Sequence, residues 1–171
     1  MRIRSHTLLA MAIAGFAAAV MISSASADER GDAGSSGIMK TTNAAASQTE
    51  RNKQTVVKFY NKALNEKQPE EALEYVGDYY KQHNPTAEDG REGFRKFINW
   101  IRSDHPDSHS EIEQIFADGD YVILNVHMVI HPGERGLAIG EIFRLEGGKI
   151  VEHWDRIQPV PETSKNNNTM F

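Results

Sequence analysis

Residues 120–158 read DYVILNVHMVIHPGERGLAIGEIFRLEGGKIVEHWDRIQ. Three β-rich runs are separated by turn signals. Asp118-Gly119 precedes the first, a loop containing Pro132-Gly133 follows it, and Gly147-Gly148 separates the last two. Such spacing predicts successive antiparallel strands joined as hairpins. Alternation puts Tyr121, Ile123, Asn125, His127 and Val129 on one face of the first strand and Val122, Leu124, Val126, Met128 and Ile130 on the other. Leu137, Ile139, Glu141, Phe143 and Leu145 share a face of the second. A polar side chain on a face made for burial must be paired or must line a cavity. Asn125, His127 and Glu141 are therefore expected to point into a hollow.

Working outward, Ser47-Gln48-Thr49-Glu50 has the Ser-x-x-Glu capping pattern, and Val56, Val57, Tyr60, Ala63 and Leu64 recur at helical spacing. They predict a helix over about residues 48–66. Pro69 opens a second helix with Ala72, Leu73 and Val76 on its apolar stripe, and Gly77 ends it. Tyr79 to Pro85 reads as a short extended piece. A third helix over about 91–103 carries Phe94, Phe97, Ile98 and Ile101, with Trp100 at the stripe's edge. Ser108 to Ala117 reads as a strand with Ile112 and Phe116 inside. Helices first and a meander of about four strands after them predict an α+β fold. A sheet curled to cover three helices leaves a hollow between the layers.

The chain starts MRIRSHT, continues LLAMAIAGFAAAVMI and reaches Ala25-Ser26-Ala27. A basic start, an apolar stretch and a small-residue exit predict a signal peptide over 1–27, cleaved before Asp28. A periplasmic or secreted location follows. Residues 28–46 are small, polar and aperiodic, and read as a disordered linker before a domain spanning 47–171. The 171 residues include no Cys, so thiol nucleophiles, thiolate metal sites and disulfides are excluded. The net charge is −5, and cleavage would remove Arg2 and Arg4 as well. A chain this acidic offers no electrostatic footprint to nucleic acid or an anionic membrane.

Glu141 is the first candidate for chemistry. Desolvation among apolar neighbours raises a carboxyl toward the range of a general base. His127, expected across the hairpin from it, would orient Glu141 or donate to a developing enolate oxygen. Asn125 shares the His127 face and would bind a carbonyl, and His83 would close the cavity mouth. Trp154 and Asp155 are further candidates for substrate contact. Alternation separates His153 and Asp155 from Trp154, and periodicity does not say which face lines the hollow. A metal set of His127, Glu141, His153 and Asp155 is allowed by residue type, but no short metal motif supports it, so no metal is expected.

The run Gly140-Glu141-Ile142-Phe143-Arg144, followed by Gly148-Lys149-Ile150-Val151-Glu152-His153-Trp154-Asp155, resembles the SnoaL-like polyketide cyclases of the nuclear-transport-factor-2-like superfamily. Gln82-His83-Asn84-Pro85 and Gly119-Asp120-Tyr121-Val122 fall where such proteins have similar motifs. The resemblance spans roughly residues 50–171. It implies a cone-shaped α+β barrel, three helices on a curved antiparallel sheet, a deep apolar pocket and no cofactor. It also implies a lyase or isomerase type of chemistry on a small apolar carbonyl compound: an acid/base residue at the position of Glu141 takes an alpha proton, with a His matching His127 and an amide matching Asn125. In the cyclases the acid/base is Asp, and Glu141 is a departure from that pattern. A non-catalytic binding or assembly module on the same fold is the alternative. A homodimer is expected through the open sheet face, to which Val122, Leu124, Val126, Met128 and Ile130 are assigned.

Overall fold

The computed structural model describes the backbone of residues 35–171 and the side chains of residues 47–171. The expected signal peptide lies outside the described residues, as do residues 28–34 of the expected linker. Helix α1 spans Ser35–Tyr60 and runs on through a π-helical turn at Asn61–Asn65. It thus starts before the Ser47 capping pattern, and residues 35–46 are helical rather than disordered linker. Helix α2, Pro69–Leu73, is a short turn with Pro at its start and Glu70 and Glu71 at its positive end. Val76, expected on the stripe of this helix, instead begins strand β1, Val76–Gln82. Arg91 holds that switch in place: its guanidinium donates to the carbonyls of Leu73, Val76 and Gly77 at 2.8–3.2 Å. Helix α3, Gly90–Asp104, turns Phe94, Ile98 and Ile101 into the core.

Strands β2 (His109–Asp118), β3 (Tyr121–Val129), β4 (Leu137–Glu146) and β5 (Lys149–Pro159) follow in antiparallel order. β1 adds to β5 in parallel, so the sheet has five strands in the order β1-β5-β4-β3-β2 and is mixed rather than wholly antiparallel. Its outer strands β1 and β2 are not paired with each other, so the curved sheet stays open. The β4–β5 turn has Gly147 and Gly148 at φ 55° and 78°. Positive φ at both central residues is the type I′ hairpin geometry that favours glycine.

Two expectations about strand faces fail. The first concerns β3. Val122, Leu124, Val126 and Met128 are buried under the helices, while Tyr121 and Ile123 are exposed and Asn125 and His127 share their outer side. The inner row has no polar side chain, so burying it desolvates nothing; burying the other row would strand an amide and an imidazole. The second concerns β2. A bulge between Ile112 and Gln114 inserts a residue and reverses the alternation. Ile115 and Ala117 then pack on the core, and Phe116 is 57% exposed.

Candidate active site

The site is assembled where β1, β4 and β5 meet the end of α1. Glu141 lies opposite Asp155, Phe143 lies opposite His153, and Gln82 at the end of β1 is the parallel partner of His153. These registers put Glu141, His153 and Asp155 on the helix-facing side of the sheet, with Gln82 and Asn84 beside them. Tyr60 reaches in from the last turn of α1. Glu141 is 5% exposed and accepts two hydrogen bonds. The Tyr60 hydroxyl donates to Oε1 at 2.9 Å, and His153 Nε2 lies 2.5 Å from Oε2.

His153 has a partner at each ring nitrogen. Nδ1 faces the Gln82 side-chain amide, with Gln82 Nε2 at 3.0 Å and Oε1 at 3.1 Å, and that Oε1 also accepts the Asn84 backbone N–H at 2.9 Å. Nε2 faces the Glu141 carboxylate, which only accepts, so a proton on Nε2 is the one this bond uses. Phe143 stacks on one side of the imidazole at 4.7 Å and 20°, and Tyr80 is nearly parallel to it at 6.4 Å. The second carboxylate, Asp155, takes both oxygens' bonds from Asn84 Nδ2, at 3.0 and 2.7 Å.

Two phenols face this acid. Burial, then the neighbouring Glu141 carboxylate, pushes the Tyr60 hydroxyl well above the usual tyrosine range, although Ser110 pulls it the other way. Burial, followed by Glu141 and Asp155, raises Tyr80 as well. Both therefore remain protonated donors at any physiological pH. The Tyr60 proton is used on Glu141. Tyr80 accepts from Gln82 at 3.4 Å, and no acceptor for its own proton lies in hydrogen-bond reach among the described residues.

These groups sit at one end of a cavity of about 350 Å³. Phe59, Phe94, Ile98, Met128, Ile139 and Phe143 provide apolar walls, and Phe97, Trp100 and Ile157 lie toward solvent. The cavity is thus apolar apart from a few convergent polar groups, as small-molecule sites usually are. Ligand atoms of Glu141, His153 and Asp155 lie within 4.8 Å of one another, so these are the residues through which a divalent cation would be held. A cation there would have to replace the Glu141–His153 hydrogen bond.

Of the residues expected here from sequence, Glu141 and Asp155 line the cavity. His127 does not. It is on the opposite surface of the sheet, where Nε2 donates to the Arg135 carbonyl at 2.8 Å and the ring stacks on Phe171 at 4.5 Å. The expected Glu141–His127 pair does not form, and the imidazole beside Glu141 is His153. Asn125 is also on the outer surface, near Gln114. His83 does not close the mouth; it stacks on Trp154 at 4.5 Å and meets Glu152 at 2.8 Å. Trp154 shares that outer surface and leaves the cavity to its neighbours. Sequence reasoning missed Tyr60, Tyr80, Gln82 and Asn84 as site residues. The signal for the last three was available in the alternation of Tyr80, Gln82 and Asn84, which sets them on one side of an extended piece and His83 on the other.

Residues 56–153, more than half of the chain, match the family model described as a SnoaL-like domain. No curated protein matches the chain. Among solved structures, a provisionally assigned ketosteroid isomerase from Kribbella flavida superposes with a TM-score of 0.57 at 19% identity, over 70% of this chain and 86% of that one. A provisionally assigned polyketide cyclase from Acidithiobacillus ferrooxidans gives 0.54 at 18% identity, over 63% and 87%. TsrD from Streptomyces laurentii gives 0.53 at 22% identity, over 62% and 87%. At these identities the likeness is one of fold.

Proposed function

The chain belongs to the SnoaL-like domain family, and from that premise we propose that it is a cofactor-free enzyme of the isomerase or cyclase kind, acting by proton abstraction on a small apolar carbonyl compound. One observation carries this reading: a buried carboxylate held by two donors in the wall of an apolar chamber. Glu141 takes the proton alpha to the carbonyl, and the C–H electron pair moves onto the carbonyl oxygen. The Tyr80 hydroxyl, whose proton is unused, donates to that oxygen as charge develops. His153 and Tyr60 keep Glu141 in one orientation. Return of the proton at another carbon completes an isomerisation; attack of the enolate on a second carbonyl completes a ring closure. Incubation with 2-tetralone in D₂O, followed by proton NMR, tests the first step. Deuterium should enter the alpha positions faster than in buffer, and exchange at the buffer rate across a panel of bicyclic ketones would count against the reading.

A second reading is a binding module without chemistry. It is favoured by the fact that both Glu141 oxygens already accept hydrogen bonds, as a purely structural carboxylate would. The exchange assay separates the two.

The homodimer also belongs to this proposal, with a corrected surface. The Val122 row is core. Phe116, Ile123, Ile142 and Trp154 instead stand in register across four strands on the outer face, with Tyr121 one row away. An exposed apolar row of this kind suits a two-fold, self-complementary contact. Sedimentation at about 10 µM should give a dimer, and Ile142→Arg should weaken it by about tenfold or more; a monomeric parent protein would refute the interface.

Export remains part of the proposal too. The mature protein should begin at Asp28 and appear outside the cytoplasm. Intact-mass measurement of the protein from its native cells checks this, and a retained Met1 would refute cleavage.

A further inference from the structure

The cavity has a charge pattern that its proposed chemistry does not require. Glu141 and Asp155 line it from adjacent strands, and Glu88, which also lines it, is paired with Lys96 at 2.8 Å. No lysine or arginine lines the cavity among the described residues. The basic groups present are imidazoles, and His153 is already engaged by the Glu141 carboxylate at 2.5 Å. Among the described residues Asp155 receives only the Asn84 amide, so lone pairs on its oxygens remain available on the cavity side.

From this we infer that Asp155 is a specificity residue. It selects ligands that carry an O–H or N–H donor and no negative charge, and turns away carboxylates and phosphates of the same shape. The inference rests on the proposed site being a ligand chamber, but it does not depend on any reaction taking place there. An anionic ligand would enter an apolar chamber beside two carboxylates with no lysine or arginine there to offset it. A ligand hydroxyl or ammonium would supply the donor Asp155 lacks. At about 6 Å and an effective dielectric of about 20, one such like-charge contact weakens binding roughly a hundredfold.

Four probes on one frame read this out: 2-naphthol, 2-naphthylmethylammonium, 2-naphthoate and 2-methylnaphthalene. Each is titrated near pH 7 into the ¹⁵N-labelled mature chain and followed by amide shifts. Naphthol and the ammonium should bind more tightly than methylnaphthalene, with naphthoate roughly a hundredfold weaker than naphthol. Asp155→Asn should remove most of the naphthoate penalty, roughly a hundredfold, and weaken the ammonium by a similar factor, with naphthol little changed. Naphthoate within about threefold of naphthol in the parent protein would overturn the inference. So would an unchanged ranking in a folded Asp155→Asn variant, or failure of all four probes to bind. Selectivity in a protein that exchanges no alpha protons would sink the enzymatic reading alone; exchange without selectivity would sink this one alone.

Discussion

Glu141→Gln should lower alpha-proton exchange by about 10²–10⁴-fold, the range a positioned general base contributes. The substitution keeps the shape and removes the basic oxygen. Its structural cost is calculable from the same contacts. Tyr60 can still donate to the amide oxygen, but the amide nitrogen would then face the His153 Nε2 proton, donor against donor. Relief requires moving the ring proton to Nδ1, where it would share Gln82 Oε1, 3.1 Å away, with the Asn84 backbone N–H. Stability should therefore fall by about 1–3 kcal/mol, the cost of one poorly satisfied buried group. Urea melts alongside the exchange assay separate the two effects. Glu141→Asp keeps the base and withdraws it by one methylene; a misplacement of about 1 Å costs on the order of 10²-fold, so activity should drop without vanishing. Full exchange by a folded Gln variant would remove Glu141 from the chemistry.

The face of β4 was legible because Leu137, Ile139, Phe143 and Leu145 leave no choice about which side is buried, and Glu141 travels with them. On β3 the expectation fails because polar residues on a strand do not by themselves mark a cavity wall. The other row of that strand is wholly apolar, and burial free energy favours it without a desolvation cost. His153 and Asp155 could not be assigned because their side depends on a register shift. An unbroken two-residue hairpin at Gly147-Gly148 would set Trp154 opposite Glu141. The irregularity between Arg144 and Leu145 adds a residue on β5, so Asp155 takes that position and His153 faces Phe143. No local signal announces that bulge. Tyr60 was visible as a member of the helix's apolar stripe, but its bond to Glu141 crosses 81 positions of sequence and belongs to tertiary packing.

Phe143→Ala is expected to be the most destabilising single change near the site, at about 3–5 kcal/mol. Its side chain is 1% exposed and meets three aromatic rings. Phe59 and Tyr60 contact it edge-on, at 5.7 Å and 73° and at 6.4 Å and 79°, while His153 stacks on it at 4.7 Å. Truncation removes the transfer free energy of the ring and leaves a hole that three neighbours can fill only by tilting. Two of those neighbours are the donors that hold Glu141. The same change should therefore loosen the carboxylate, and exchange by the folded fraction should fall by about 10-fold or more even where folding is complete. Phe143→Leu keeps most of the volume and should cost about 1–2 kcal/mol, with a smaller loss of exchange. Denaturant unfolding of both variants, with exchange measured under conditions where each is fully native, tests the coupling. A large loss of stability with exchange untouched would mean that the ring supports the core but not the acid, and Glu141 would then owe its orientation to Tyr60 and the Gln82–Asn84 bonds alone.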